Sequence, residues 1–389
     1  MTALEVEVDS IMANADLGFG DVCHRTPSAG DTEFTWKYER SRDALSRLYE
    51  KAKRTKWNAN DLDWSIDVDP EKMATQMAEL AAGPAAGRSI MAEIPGSPVA
   101  KWGEKEWSTF RIETLNWRLS QFLHGEQGAL VCTAKIVETV PWIDAKYYAS
   151  TQVMDEARHV EVFARYLDEK LEGHFPVNPE LQLLIDDVLG DSRWDITYMG
   201  MQIMIEGLAL AAFGFMHMFT EEPLLKQLLR YVMADEARHV AFGTISLQEY
   251  YGELSGAEIR ERQEFAFDAA LRMRDRLLMV QVWERVGVPK AIIREFLLRL
   301  RQGQAFFQAP LFSKIVPNCK KLGLLDAGDG WLRQRFTDIG VIQFEDAADA
   351  RLDVELLDAV TADRLIASGS KPGPRRVWRR RHRAMLRTG

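Results

Sequence analysis

The chain has 389 residues, 47% hydrophobic and 28% charged, which suits a soluble globular protein with room for two domains or one large helical body. The formal net charge of −9 hides an asymmetry: residues 371–389 carry eight Lys or Arg and no acid, so the remainder carries −17 (−9 minus 8). The acidic start MTALEVEVDS does not read as a secretory signal, no 18 consecutive apolar residues occur, and Cys23, Cys132 and Cys319 form no C-x-x-C pair, so a cytoplasmic protein is expected.

Strand signals are nearly absent. Residues 1–104 read as a mixed, partly helical extension, with a helix predicted over 41–54, a Trp- and Asp-rich stretch at 57–70 and a Gly/Pro-rich link at 81–102. From Glu104 to about Gly252 the pattern is long and helical, broken at Pro141, at 175–179 and at Glu222-Pro223. Helical segments follow at 258–286 and 289–303, with shorter ones to about 368. The predicted class is all-α: a helical body over 105–252, a C-terminal helical extension over 253–370 and the basic tail at 371–389. The tail could dock nucleic acid, an acidic carrier or partner protein, or a neighbouring subunit. As a solvated terminus it would do none of these.

Within the body the hexapeptide DEARHV occurs twice, at 155–160 and 235–240. Residues i and i+3 share one face of a helix, so Glu156 and His159 project together, as do Glu236 and His239. Thirty residues before each motif glutamate stands another carboxylate inside an apolar run: Glu126 in HGEQGALVC and Glu206 in MIEGLALAA. A lone charge there would be costly. From Glu126 to the break near Pro141 and back to Glu156 are two arms of roughly 21 Å, which level the two carboxylates. A turn near Pro223 does the same for Glu206 and Glu236. Two such hairpins predict a four-helix bundle with four carboxylates and two imidazoles at one level of its core, a donor set for two divalent cations. Hard oxygen donors with one imidazole per metal suit Fe or Mn better than Zn.

On these residues the chain resembles the non-haem di-iron oxygenases and oxidases with a ferritin-like fold. GEQGAL and DEARHV are most similar to hydroxylase subunits of bacterial multicomponent monooxygenases, and less so to ribonucleotide reductase small subunits and arylamine N-oxygenases. The resemblance covers roughly residues 105–252. It implies a catalytic, metal-binding set in which Glu126, Glu156 and His159 serve one iron and Glu206, Glu236 and His239 the other, with Glu156 and Glu236 bridging. It further implies that Asp155 and Asp235 accept hydrogen bonds from metal-bound imidazoles and pair with Arg158 and Arg238. The implied cofactor is two Fe ions, with Fe/Mn open, and the implied co-substrate is O2.

The halves differ where the family's subtypes differ. Radical-bearing reductase subunits typically have a tyrosine four residues after the first motif's histidine; here that residue is Phe163, and its counterpart in the second half is Gly243. This pair suggests one plugged side and one with room, which places a substrate pocket near Gly207, Ala209, Phe213 and Gly243; close packing of helix backbones explains Gly243 equally well. Gln152, one turn before Glu156, is either a polar neighbour of the site or a surface residue. Leu210 stands where toluene- and methane-type hydroxylases have a threonine, and Val232 where N-oxygenases have a third histidine, so neither subtype is matched in full. Cys132 and Tyr231 read as packing residues.

The expected function is an O2-activating oxygenase, of hydroxylase or N-oxygenase type, acting on a small or carrier-bound organic substrate. A reductase-like radical or oxidase protein and a ferritin-like iron-binding protein are the alternatives. No flavin or nicotinamide fingerprint is visible and three cysteines cannot supply a four-cysteine iron–sulfur pattern, so a separate ferredoxin or reductase is expected. Membrane and nucleic acid are not expected partners, and a carrier protein and a homodimer are left open.

Overall fold

A computed structural model describes residues 2–17, 23–80, 84–171, 173–302 and 309–347. The basic tail at 371–389, and the part of the C-terminal extension beyond 347, lie outside the described residues. Among the described residues there is no strand. In chain order come α1 (Ala3–Ala15), α2 (Asp43–Arg54), α3 (Pro70–Leu80), α4 (Pro84–Glu93), α5 (Glu104–Thr139), α6 (Ile143–Tyr166), α7 (Pro179–Gly190), α8 (Trp194–Tyr198), α9 (Glu206–Phe219) and α10 (Pro223–Tyr251). After them come α11 (Gly256–Asp275), α12 (Val280–Arg285), α13 (Lys290–Gln302), α14 (Ala309–Lys321) and α15 (Trp331–Asp338). A π-helical segment, Met199–Ile205, joins α8 to α9, so 194–219 is one continuous rod.

Local chemistry sets the breaks. The first hairpin turns at Val140, Pro141 and Trp142, between α5 and α6. The second turns after Phe219, where Glu222 accepts from the backbone N–H groups of Leu224 (2.8 Å) and Leu225 (2.6 Å) and Pro223 fills the first helical position. Tyr166, at the end of α6, donates to the same Glu222 at 2.8 Å, tying the two hairpins together. Asn178 and Pro179 start α7 in the same way. Its C-terminal carbonyls are capped by the Lys135 ammonium, which donates to Val188, Leu189 and Asp191 at 3.2, 2.8 and 2.6 Å. The link read at 81–102 is not wholly irregular. Its Ala-rich run forms α4, opening on Pro84, and a 3-10 turn follows at Pro98–Lys101.

The helices α5, α6, the 194–219 rod and α10 form the four-helix bundle. Two apolar clusters fill it: one around Ile136, Tyr148, Tyr198 and Phe242, the other around Leu119, Phe163, Phe213 and Leu228. A third cluster packs Val8 and Ile11 of α1 with Trp283 of α12 and Ile293 and Leu297 of α13. The rod is long and apolar enough to cross a membrane by length and composition, yet 72% of its most apolar window is buried inside the protein. A helix apolar all round is also what a bundle centre requires.

Candidate metal centre

Each of the four bundle helices delivers part of one cluster. Glu126 comes from α5, Glu156 and His159 from α6, Glu206 from the first turn of α9, and Glu236 and His239 from α10. All six are at most 4% exposed. His159 Nδ1 lies 3.1 Å from Glu126, 3.3 Å from Glu156 and 3.1 Å from Glu236. His239 Nδ1 lies 3.0 Å from Glu156 and 3.5 Å from Glu236. Both motif glutamates therefore span the gap between the two imidazoles, while Glu126 and Glu206 stand at opposite ends. Two donor groups result, Glu126–Glu156–His159–Glu236 and Glu156–Glu206–His239, in each of which the ligand atoms lie within 4.8 Å of one another.

Behind the cluster the repeat crosses over. His159 Nε2 faces Asp235 at 3.3 Å and His239 Nε2 faces Asp155 at 3.4 Å, so each imidazole meets the acid of the other hexapeptide. Arg158 pairs with Asp155 and, at 3.2 Å, with Asp235; Arg238 pairs with Asp235 and, at 3.2 Å, with Asp155. Two buried acids and two buried guanidiniums thus form a closed, neutral ring in which each charge is paired. With both Nε2 atoms directed at carboxylates, both Nδ1 atoms are left for the cluster.

Electrostatics show what the cluster needs. Burial, reinforced by Glu236, raises Glu126 well above the usual carboxylate range, and burial with Glu156 does the same for Glu206. Burial alone would lower the two histidines. The surrounding carboxylates outweigh it, Glu126 foremost at His159 and Glu156 at His239, and both are raised. Burial likewise opposes ionisation of Glu156, but the two imidazoles hold its pKa low. Protons thus occupy positions where cations would offset the charge. Several atoms in the cluster also have no hydrogen-bond partner: Glu156 Oε2, Glu206 Oε2, both Glu236 oxygens and His239 Nδ1. Four buried carboxylates that converge on two imidazoles, with several oxygens lacking a well-formed hydrogen bond, fit a pair of divalent cations.

The fold is ferritin-like. A Glu from each of two helices and Glu-x-x-His from each of the other two, at one level of a four-helix bundle, is that architecture. No family model matches the sequence, and no curated protein matches it. Among solved structures, the chain is similar to R2-like ligand-binding oxidases. One, a variant with an anaerobically reconstituted Mn/Fe cofactor, is 18% identical, covers 71% of this chain and 92% of its own, and gives a TM-score of 0.43. Another variant, aerobically reconstituted with Mn/Fe, is 17% identical, covers 70% and 96%, and gives 0.44. A third, studied after photoconversion, is 17% identical, covers 81% and 95%, and gives 0.40. At such identities and scores the site's chemistry is read from its own side chains.

The other residues singled out in the sequence fall in several places around the ferritin-like bundle. Gln152 is fully buried and donates to Glu156 (3.0 Å) and Glu206 (2.8 Å), so it is a neighbour of the cluster and not a surface residue. The Phe163 side is plugged: its ring packs against Phe122 and Phe213 at 5.8 and 5.6 Å. Gly243 does not open the room expected of it. A Cβ there would stand 2.5 Å from Gln202 Cβ, so the missing side chain lets α10 approach the π-helical segment. Phe213 and Ala209 belong to the apolar cluster around Phe163, and a Cβ on Gly207 would meet Asn318 at 3.3 Å. The pocket drawn around these four residues is therefore packed. A cleft of about 470 Å³ between α7 and α11, lined by Asp186, Asp187, Asp268 and Arg272, borders none of the cluster residues. Cys132 is buried and its thiol is pushed up to about 12 by burial, as for a packing residue.

Two residues escaped the sequence reading. Trp57 precedes α3, far from the hexapeptides in sequence, yet its indole N–H donates to Asp235 at 2.7 Å, and its ring stacks on Tyr231 and lies under Arg158. Gln202, four residues before Glu206 in the π-helical segment, is fully buried with neither amide atom partnered. No periodicity marks either one.

Proposed function

We propose that this protein is an O2-dependent di-metal oxidase or oxygenase that oxidises an organic substrate beside its cluster. The supporting observation is the convergence of four buried carboxylates and two imidazole Nδ1 atoms whose bonding capacity the protein leaves partly unmet. Glu126, Glu156, His159 and Glu236 would hold one ion and Glu206, Glu156, Glu236 and His239 the other, in a donor set suited to Fe/Fe or Mn/Fe. A bound pair supplies O2 binding and electron transfer to it.

The chain's own residues do the rest. Asp155 and Asp235 fix both imidazoles through Nε2, and Arg238, with His159 and Arg158, holds the buried Asp235 carboxyl well below the usual carboxylate range. Gln152 orients one oxygen each of Glu156 and Glu206 through its amide N–H groups. Phe122, Phe163 and Phe213 exclude water from one end. A hydroxylase or N-oxygenase outcome requires a substrate on the other end and an external electron donor, a ferredoxin or reductase. The basic tail at 371–389 is a docking element for such a partner or an acidic carrier protein, and a chain lacking it should then turn over more slowly with that partner. Two free buried thiols and one free exposed thiol suit the cytoplasm.

The test is O2 consumption by the anaerobically reduced, iron-loaded protein. Substrate-dependent coupling of O2 uptake to product supports the proposal. Rapid iron oxidation with growth of a mineral core, and no product from any organic compound, would assign iron storage instead.

A further inference from the structure

The bundle has two unlike ends. Beyond Glu126 and His159 the interior is Leu119, Phe163, Phe213 and Val232, and the one buried hydroxyl named there, on Tyr166, is committed to Glu222. Beyond Glu206 and His239 polar groups stand among the apolar side chains. Gln152 and Tyr148 lie four and eight residues before Glu156, Gln202 and Tyr198 four and eight before Glu206, and Ser246 seven after His239. These five side chains, from α6, the 194–219 rod and α10, are at most 1% exposed. Phe242 ties them together, its ring 4.5 Å from that of Tyr148 and 5.0 Å from that of Tyr198. Ser246 neighbours Tyr198, and Gln202 lies against Gly243. Tyr198 and Ser246 hydrogen-bond to each other, yet Gln152 Oε1, both Gln202 amide atoms and the Tyr148 hydroxyl have no hydrogen-bond partner. Buried polar groups are rarely left unpaired, so a set of them on one face of a cluster marks bonds that a ligand completes.

The charge balance narrows the ligand. Four glutamates offset two divalent cations, and Asp155 and Asp235 offset Arg158 and Arg238. No charge is left over for an ionised substrate group, which would enter this interior uncompensated. Resting on the di-metal reading above, we propose that the Gln152–Gln202–Tyr148–Tyr198–Ser246 end of the bundle is the substrate-binding side and receives an uncharged hydrogen-bonding group: an amide, alcohol or phenol. Gln202 supplies both donor and acceptor, the Tyr148 hydroxyl completes the polar contacts, and Phe242 and Ile203 line the apolar remainder.

The experiment uses the full chain loaded anaerobically with Mn(II), with bound metal measured in every sample. Hexanamide, 1-hexanol, hexanoate and hexylamine differ only in the head group, and their binding is read by calorimetry and by the shift in Tm. Hexanamide and 1-hexanol are expected to bind at least about tenfold more tightly than the two ions. Gln202→Leu should weaken hexanamide binding by about tenfold with metal content unchanged, and the milder Tyr148→Phe should weaken it severalfold should the first variant not fold. Equal or tighter binding of hexanoate or hexylamine, no binding of any probe, or undiminished hexanamide binding by both variants would overturn the proposal. Failure to retain Mn(II) in the wild-type chain would instead overturn the di-metal reading.

Discussion

Replacing Trp57 by phenylalanine tests how the site is held from outside the bundle. The indole N–H donates to Asp235 Oδ2 at 2.7 Å, and the same carboxylate meets Arg238, Arg158 at 3.2 Å and His159 Nε2 at 3.3 Å. Trp57 is 5% exposed, so little solvent is present to replace the lost bond. A hydrogen bond to a buried charge contributes about 1.5–3 kcal/mol, and the smaller ring forfeits some apolar contact with Tyr231, so a loss of about 2–3 kcal/mol is expected. Asp235 keeps its other partners but is less firmly placed, and through it so is His159. Metal affinity should fall by about tenfold, the low end for a partner behind a ligand. Urea unfolding of the metal-free protein measures the first quantity and a metal titration the second. A stability change below about 0.5 kcal/mol with unaltered metal affinity would show that Trp57 merely packs there and does not hold the site.

Other outcomes follow from the same geometry. In the metal-free protein Glu126 and Glu206 have pKa values raised above 4.5, and His159 and His239 above 6.5. At these four groups the native state binds more protons than the unfolded one, against the opposite shifts that burial gives His124 and His217, so Tm should fall as pH rises from about 5 to about 8. Bound metal, which displaces those protons, should flatten that slope, and a metal-free Tm rising over this range would contradict the shifts. Gly243→Ala places a Cβ 2.5 Å from Gln202 Cβ, and despite alanine's better helix propensity it should destabilise the protein by about 1–3 kcal/mol; a stabilised variant in urea would refute the close approach. Cys23 is exposed, whereas Cys132 and Cys319 are buried with thiols pushed up to about 12 by burial. One thiol should react quickly with a disulfide reagent in the native protein and three after unfolding.

What the sequence made legible was local or repeated. Glu-x-x-His needs only the helical repeat to share a face, and its second copy with the matching carboxylates at Glu126 and Glu206 set the hairpin lengths; hence the cluster could be placed before any coordinates. Contacts made by distant segments were not legible. Trp57 reaches Asp235 across 178 positions, and the crossing of each hexapeptide's acid to the other's histidine depends on how α6 and α10 meet. Gly243 signals a missing side chain, but whether that leaves space or a close contact is decided by Gln202 on another helix. The π-helical turns before Glu206 have no marker in MGMQIMI, so the inward placement of Gln202 could not be foreseen.

The most direct test of the cluster is metal stoichiometry after anaerobic reconstitution with Fe(II) and removal of loosely held ions. About two ions per chain are expected from the two donor groups, falling toward zero in Glu156→Ala, whose carboxylate is common to both. A wild-type chain that retains no metal, or a Glu156→Ala variant that retains as much as the wild type, would contradict the assignment of these six residues.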